Sequence, residues 1–81
     1  MTAIFVIINE SLPEDSEYEL TDVIPVARWS YQDALDDLAE IADESGIEVG
    51  DDDTVISLPV KGTGLKYDNY YVIALEVLDR G

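Results

Sequence analysis

Ser30-Tyr31-Gln32-Asp33-Ala34-Leu35-Asp36-Asp37-Leu38-Ala39-Glu40-Ile41-Ala42-Asp43-Glu44-Ser45-Gly46 carries a helical period, and its reading decides the fold. At about 100° per residue, Tyr31, Ala34, Leu35, Leu38, Ala39, Ile41 and Ala42 fall on one face. The Ser30 hydroxyl is placed to cap the first turn, and Asp33 sits at the third helical position near the positive end of the dipole. Gly46 supplies a left-handed stop. The opposite face is Asp33, Asp36, Asp37, Glu40, Asp43 and Glu44, with no Lys or Arg three or four residues on to compensate any of them. A helix with one such stripe must lay it on an apolar sheet.

Working outward, the flanking segments supply that sheet. Ala3-Ile4-Phe5-Val6-Ile7-Ile8 is β-branched and aromatic, too short for a helix and apolar on both faces, which predicts an interior strand. Val23-Ile24-Pro25-Val26-Ala27 reads as a second strand, and because Pro25 donates nothing to a ladder this strand belongs at an edge or carries a bulge. Between them Asn9 to Asp22 holds six acids around Ser11 and Pro13, a composition that predicts a loop rejoining the sheet near Leu20. After the helix comes an acidic connection from Ile47 to Asp53. Thr54 to Val60 then alternates as a strand, with Ile56, Leu58 and Val60 facing one way and Val55 and Ser57 the other. Lys61-Gly62-Thr63-Gly64-Leu65-Lys66 predicts a flexible hairpin-like connection, and Tyr70 to Leu78 the longest strand. The expectation is a single domain over residues 1–81 of α+β class, a ββαββ two-layer sandwich with one helix packed on a small, mostly antiparallel sheet. If nothing covers the other sheet face, that face is a surface for a dimer or a partner.

Charge is the distinctive property. Nineteen acids against four bases give −15 at pH 7, and residues 1–54 hold sixteen of the acids but only one base, Arg28. A field of that sign repels nucleic acid, anionic membranes and polyanionic substrates, and attracts a basic partner. The chain has neither cysteine nor histidine, so disulfides, the usual zinc sites and Ser-His or Cys-His catalytic arrangements are excluded. No apolar run approaches the roughly 18 residues that span a bilayer, and the first residues lack the features of a signal peptide, so a soluble, cytoplasmic protein is expected.

The Ile4-Phe5-Val6-Ile7-Ile8 strand, a second strand running into Arg28-Trp29-Ser30 and the Ala34/Leu35/Leu38/Ala39 helix, and the terminal Tyr70-Tyr71-Val72-Ile73 strand resemble the small acidic accessory proteins of phages infecting actinobacteria. The resemblance covers most of the chain in layout. It implies a phage product acting in the host cytoplasm, where some such proteins bind and inhibit host proteins. It carries over no catalytic residue.

Five features could carry chemistry. The helical acids Asp33, Asp36, Asp37, Glu40, Asp43 and Glu44 lie about 5–6 Å apart along a helix surface, close to the spacing of backbone phosphates, so the row could imitate a nucleic-acid strand. A charged helix face more often serves solubility alone, but Glu14, Asp15 and Glu17 in the first loop and Asp51, Asp52 and Asp53 before the third strand add two further acidic clusters. Asp51-Asp52-Asp53 lacks the alternating spacing and closing glutamate of a calcium loop, so no metal site is expected. Lys61-Gly62-Thr63-Gly64 lacks the spacing of a phosphate loop and reads as a turn. Trp29, Tyr31, Tyr67, Tyr70 and Tyr71 could anchor a partner, although core packing at the strand-to-helix corner and along the last strand accounts for most of them. Paired carboxylates do glycosidase chemistry only when one is buried in a cleft.

The reading is therefore a non-enzymatic interaction protein without a cofactor, an inhibitor of phage type or nucleic-acid mimic that presents clustered carboxylates to a basic, nucleic-acid-binding host protein. It binds neither nucleic acid nor membrane directly. The alternative is an acidic structural or halophile-adapted protein, with a sheet-mediated homodimer among its forms.

Overall fold

The computed structural model of the chain describes residues 2–49 and 54–77. Its elements run β1 (Thr2–Pro13), β2 (Leu20–Arg28), α1 (Tyr31–Glu44), β3 (Val55–Ser57) and β4 (Leu65–Val77). All pairings are antiparallel, in the order β2-β1-β4-β3. The apolar β1 lies inside the sheet, where its backbone is paired on both edges, and the ββαββ layout is the expected one.

The edge strand β2 also bulges where the proline predicts. Val6 pairs with Ala27 and Ile8 with Val23, so Ile24, Pro25 and Val26 together stand opposite Ile7. Pro25, with no N–H to offer, sits in the part of the strand where ladder bonds are interrupted.

Two strands are longer than their composition suggests, and the long acidic loop shrinks to a hairpin turn. β1 runs on through Asn9-Glu10-Ser11-Leu12-Pro13 because β4 runs back alongside it from Leu65, pairing Asn9 with Tyr70, Glu10 with Asn69 and Leu12 with Tyr67. The polar side chains of this extension find partners in the ladder. Asn9 donates from Nδ2 to Asp68 Oδ1 at 2.6 Å and to the Asn69 carbonyl at 3.1 Å, and the Tyr71 hydroxyl donates to Glu10. Residues 61–64, expected as a hairpin-like connection, form a hydrogen-bonded turn: Thr63 Oγ1 donates to the Val60 carbonyl and accepts from the Leu65 N–H. The strand expected over 54–60 is regular only at Val55–Ser57, although Leu58 N–H still reaches the Asp68 carbonyl at 2.8 Å.

The helix begins and ends at the expected residues. Ser30 accepts from the Asp33 N–H at its start. At its end Gly46 adopts φ 75°, its N–H donates to the Asp43 carbonyl and the Ile47 N–H to the Ala42 carbonyl, the paired bonds of a Schellman stop. Ile47 then packs against the core.

That core lies between the helix and one sheet face. Leu38 and Ala42 meet Ile7 and Ile56, with Ile24, Leu35, Ile41, Tyr70 and Val72 around them. Two residues assigned to the apolar stripe lie outside this contact: Ala39 is exposed and Tyr31 is 42% exposed, its ring edge-on to Phe5 at 5.5 Å. A single helix contacts only the strip of sheet beneath its axis, so residues at the stripe's margins stay wet. Trp29, expected to pack at the corner, is 74% exposed.

The molecule is only 18 Å through its thinnest dimension, against 49 and 29 Å in the others. Strand alternation sends Ile7, Tyr70, Val72 and Ile56 toward α1, and Ile4, Val6, Ile8, Tyr71, Ile73, Leu75, Val23 and Val55 to the other face. Among the described residues no element lies over that second face. Among the described residues no helix is long and apolar enough to cross a membrane.

Candidate functional site

The candidate site is the outer face of α1, and its geometry follows from how the apolar stripe is buried. Seating Ala34, Leu38 and Ala42 on the sheet turns Asp33, Asp36, Glu40, Asp43 and Glu44 to solvent. The sixth acid, Asp37, sits at the flank toward β2 and is half-buried. There it meets Arg28, whose Nε donates to Oδ2 at 2.6 Å and whose terminal amine donates to Oδ1 at 3.1 Å, a two-pronged ion pair. The hydrogen bond and charge of Asp37 raise the Arg28 pKa above its ordinary value, with Asp33 and Glu40 adding to the same field. Among the described residues this is the only salt bridge. Asp36 accepts from the Gln32 amide at 3.1 Å, which holds the carboxylate without removing its charge.

Charge placement along α1 opposes helix stability at one end. Asp33 lies in the first turn, where a negative group is favoured, but Asp43 and Glu44 lie in the last turn, where the exposed carbonyls are negative and no basic residue is present.

A shallow cleft of about 270 Å³ opens between α1 and β2. Its floor is Ile7, Ile24, Val26 and Ile41; Glu40 and Glu44 stand along its rim, and the Arg28–Asp37 pair is part of its wall. An apolar floor with carboxylates at the lip suits the side chain of a lysine or arginine, whose stem is aliphatic and whose head is charged.

The other predicted acids lie elsewhere. Glu14, Asp15 and Glu17 are exposed in the turn joining β1 to β2. Pro13 is four residues beyond Asn9, whose partner Tyr70 packs against the core beneath α1, and so lies about 13 Å further along the strand. This turn is clasped by a bond from the Glu14 N–H to the Gly64 carbonyl at 2.9 Å, so it neighbours the turn containing Lys61. The hairpin acids therefore form a separate patch. Asp51, Asp52 and Asp53 lie outside the described residues. Among the described residues no three acids converge as metal ligands would.

Sequence reasoning missed the Arg28–Asp37 pair, the cleft and two tyrosine–carboxylate bonds, Tyr67 to Glu19 and Tyr71 to Glu10. These bonds hold both phenols above their ordinary pKa, Tyr67 at about 12. Each joins residues distant in sequence, so no local signal marks them. No family model matches the chain, no curated protein matches it in sequence and no solved structure matches it in fold.

Proposed function

We propose that this chain is a non-enzymatic interaction protein that presents the carboxylates of α1 to a basic surface of another protein, acting as a nucleic-acid mimic or an inhibitor of the phage type, in a host cytoplasm. The observation that carries the reading is the outer face of α1. It keeps Asp33, Asp36, Glu40, Asp43 and Glu44 exposed with no ion pair to any cation among the described residues, and it keeps two of them where they oppose the helix dipole. An acid at a helix C-terminus costs helix stability that the same charge elsewhere on the surface would not.

In this mechanism the field of the whole molecule speeds the encounter, and the spaced carboxylates then receive lysines and arginines of the partner. One of these side chains lies with its stem on Ile24, Val26 and Ile41 and its head between Glu40 and Glu44. The exposed Trp29, beside the start of the helix, is the only tryptophan in the chain and reports contact through its fluorescence.

The test is displacement of fluorescent duplex DNA from a panel of basic DNA-binding proteins, as a function of salt. The expected result is displacement at low salt that fades steeply as salt rises, and that is lost in a D36N/E40Q/D43N/E44Q variant retaining its helical circular dichroism. The reading fails if the chain displaces DNA from none of the panel, or if the neutralised helix displaces it equally well.

A further inference from the structure

The sheet face turned away from α1 is apolar across all four strands. Val6 and Ile8 at its centre are already shielded within the chain, at 5% and 6% exposure, and the apolar surface it offers comes from the residues around them, among which Val23, Leu75 and Val55 are 59%, 44% and 55% exposed. We infer that this face is the interface of a homodimer, two copies packing sheet to sheet with both helices outward. The inference stands apart from the carboxylate reading, because it uses the opposite side of the molecule.

A second copy is favoured over another occupant by the distribution of charge. Of the residues that alternation places on this face between Thr2 and Leu12 of β1 and along the paired stretch of β4, Glu10 is the only charged one, and it is engaged by the Tyr71 hydroxyl. Glu19, bonded to Tyr67, adds a second acid at the same end. Among the described residues the face offers no cation to an acidic partner, and a basic partner is drawn to the helix side.

Two molecules each carrying −15 repel one another in almost every orientation. Stacked sheets lie about 10 Å apart and each helix adds a layer roughly 10 Å thick, so face-to-face packing sets the two helices about 30 Å apart. That is several times the Debye length of about 8 Å at physiological ionic strength. A two-fold axis normal to the strands also sends the Glu10 and Glu19 ends of the two copies in opposite directions.

The area is sufficient. β1 and β4 pair without interruption from Thr2 to Leu12, eleven residues. At about 3.3 Å along a strand and about 4.8 Å between strands each residue projects about 16 Å², and the face is made of these stretches of β1 and β4 together with the nine residues of β2 and the three of β3. The face therefore projects about 500 Å², and a pair covers about 1,000 Å² or more, the lower bound of a specific interface.

Sedimentation velocity of the full chain tests this across salt. The expected species has twice the 9.0 kDa chain mass, and its dissociation constant falls roughly tenfold as ionic strength rises from about 0.01 to about 0.1 M, because screening relieves repulsion. This salt effect is opposite in sign to that of binding a basic protein. A Val23→Lys/Leu75→Lys variant, changed at exposed positions, is expected to sediment as a monomer with unchanged circular dichroism. Val26→Lys, at the cleft by the helix, and the neutralised helix variant are expected to remain dimers. A monomer at every salt concentration, a dimer that loosens as salt is added, or a dimer undiminished in the double-lysine variant would each overturn the inference.

Discussion

Single side chains in this protein settle questions that composition leaves open. Tyr67 is the clearest case, because its hydroxyl is held protonated by the bond to Glu19, which raises its pKa from 10.0 to about 12. Tyr71 is raised by its bond to Glu10, and Tyr70 by burial. A folded-state pKa above the unfolded one means that the stabilisation is fully present below pH 10.0 and is lost as pH rises through about 12. Tyrosinate absorbance followed to high pH should therefore show a late phase that disappears in Tyr67→Phe, and the alkaline fall in thermal midpoint should be shallower in that variant. Leu38, wholly buried between helix and sheet, sets the scale at the other extreme. Leu38→Ala should lower unfolding free energy by about 3 kcal/mol in urea titrations, whereas Ser30→Ala, which removes only the cap, should lower it by about 1 kcal/mol.

At the scale of elements, α1 holds a conflict between stability and the role proposed for it. Replacing Asp43 and Glu44 by lysine should raise helix stability by about 0.5 kcal/mol at each position, since cations suit the negative end of the dipole. The same changes should weaken displacement of DNA from a basic protein. A variant that is both more stable and fully active would show that the last-turn acids contribute nothing to binding. The helix was legible in sequence to within a residue at either end, because cap, stripe and stop are all local. The strands were legible only in their apolar halves. Asn9 to Pro13 and Leu65 to Asn69 look like loop material, and they become strand because each is the other's ladder partner, a fact that depends on register rather than on propensity. Likewise the pairing of Arg28 with Asp37 was not legible, because Asp37 is not at a helical or strand interval from it. The corner at Trp29-Ser30 brings the two together, and the direction of that corner is a tertiary property.

For the whole molecule, dilute salt should be the least favourable condition. Raising ionic strength from about 0.01 to about 0.1 M shortens the Debye length from roughly 30 to roughly 10 Å, so the thermal midpoint should climb over that range and then level off. A chain that folds only in molar salt would instead be one adapted to brine. The acidic patches proved separable at this scale, helix row at one place and hairpin turn at another, because β1 and β4 extend the sheet well beyond the helix that covers it. The same ladder has a consequence for synthesis. Thr2 meets Val77 and Ile7 meets Val72, so the two innermost strands leave the ribosome more than sixty residues apart. Until Leu65 and its successors emerge, the greasy segment Ile4–Ile8 has at most an edge strand beside it. Neighbouring nascent chains on one message would stick through such segments. The sixteen carboxylates translated by residue 54 are already in place by then, and their mutual repulsion keeps the unfinished copies apart until β4 arrives to close the sheet.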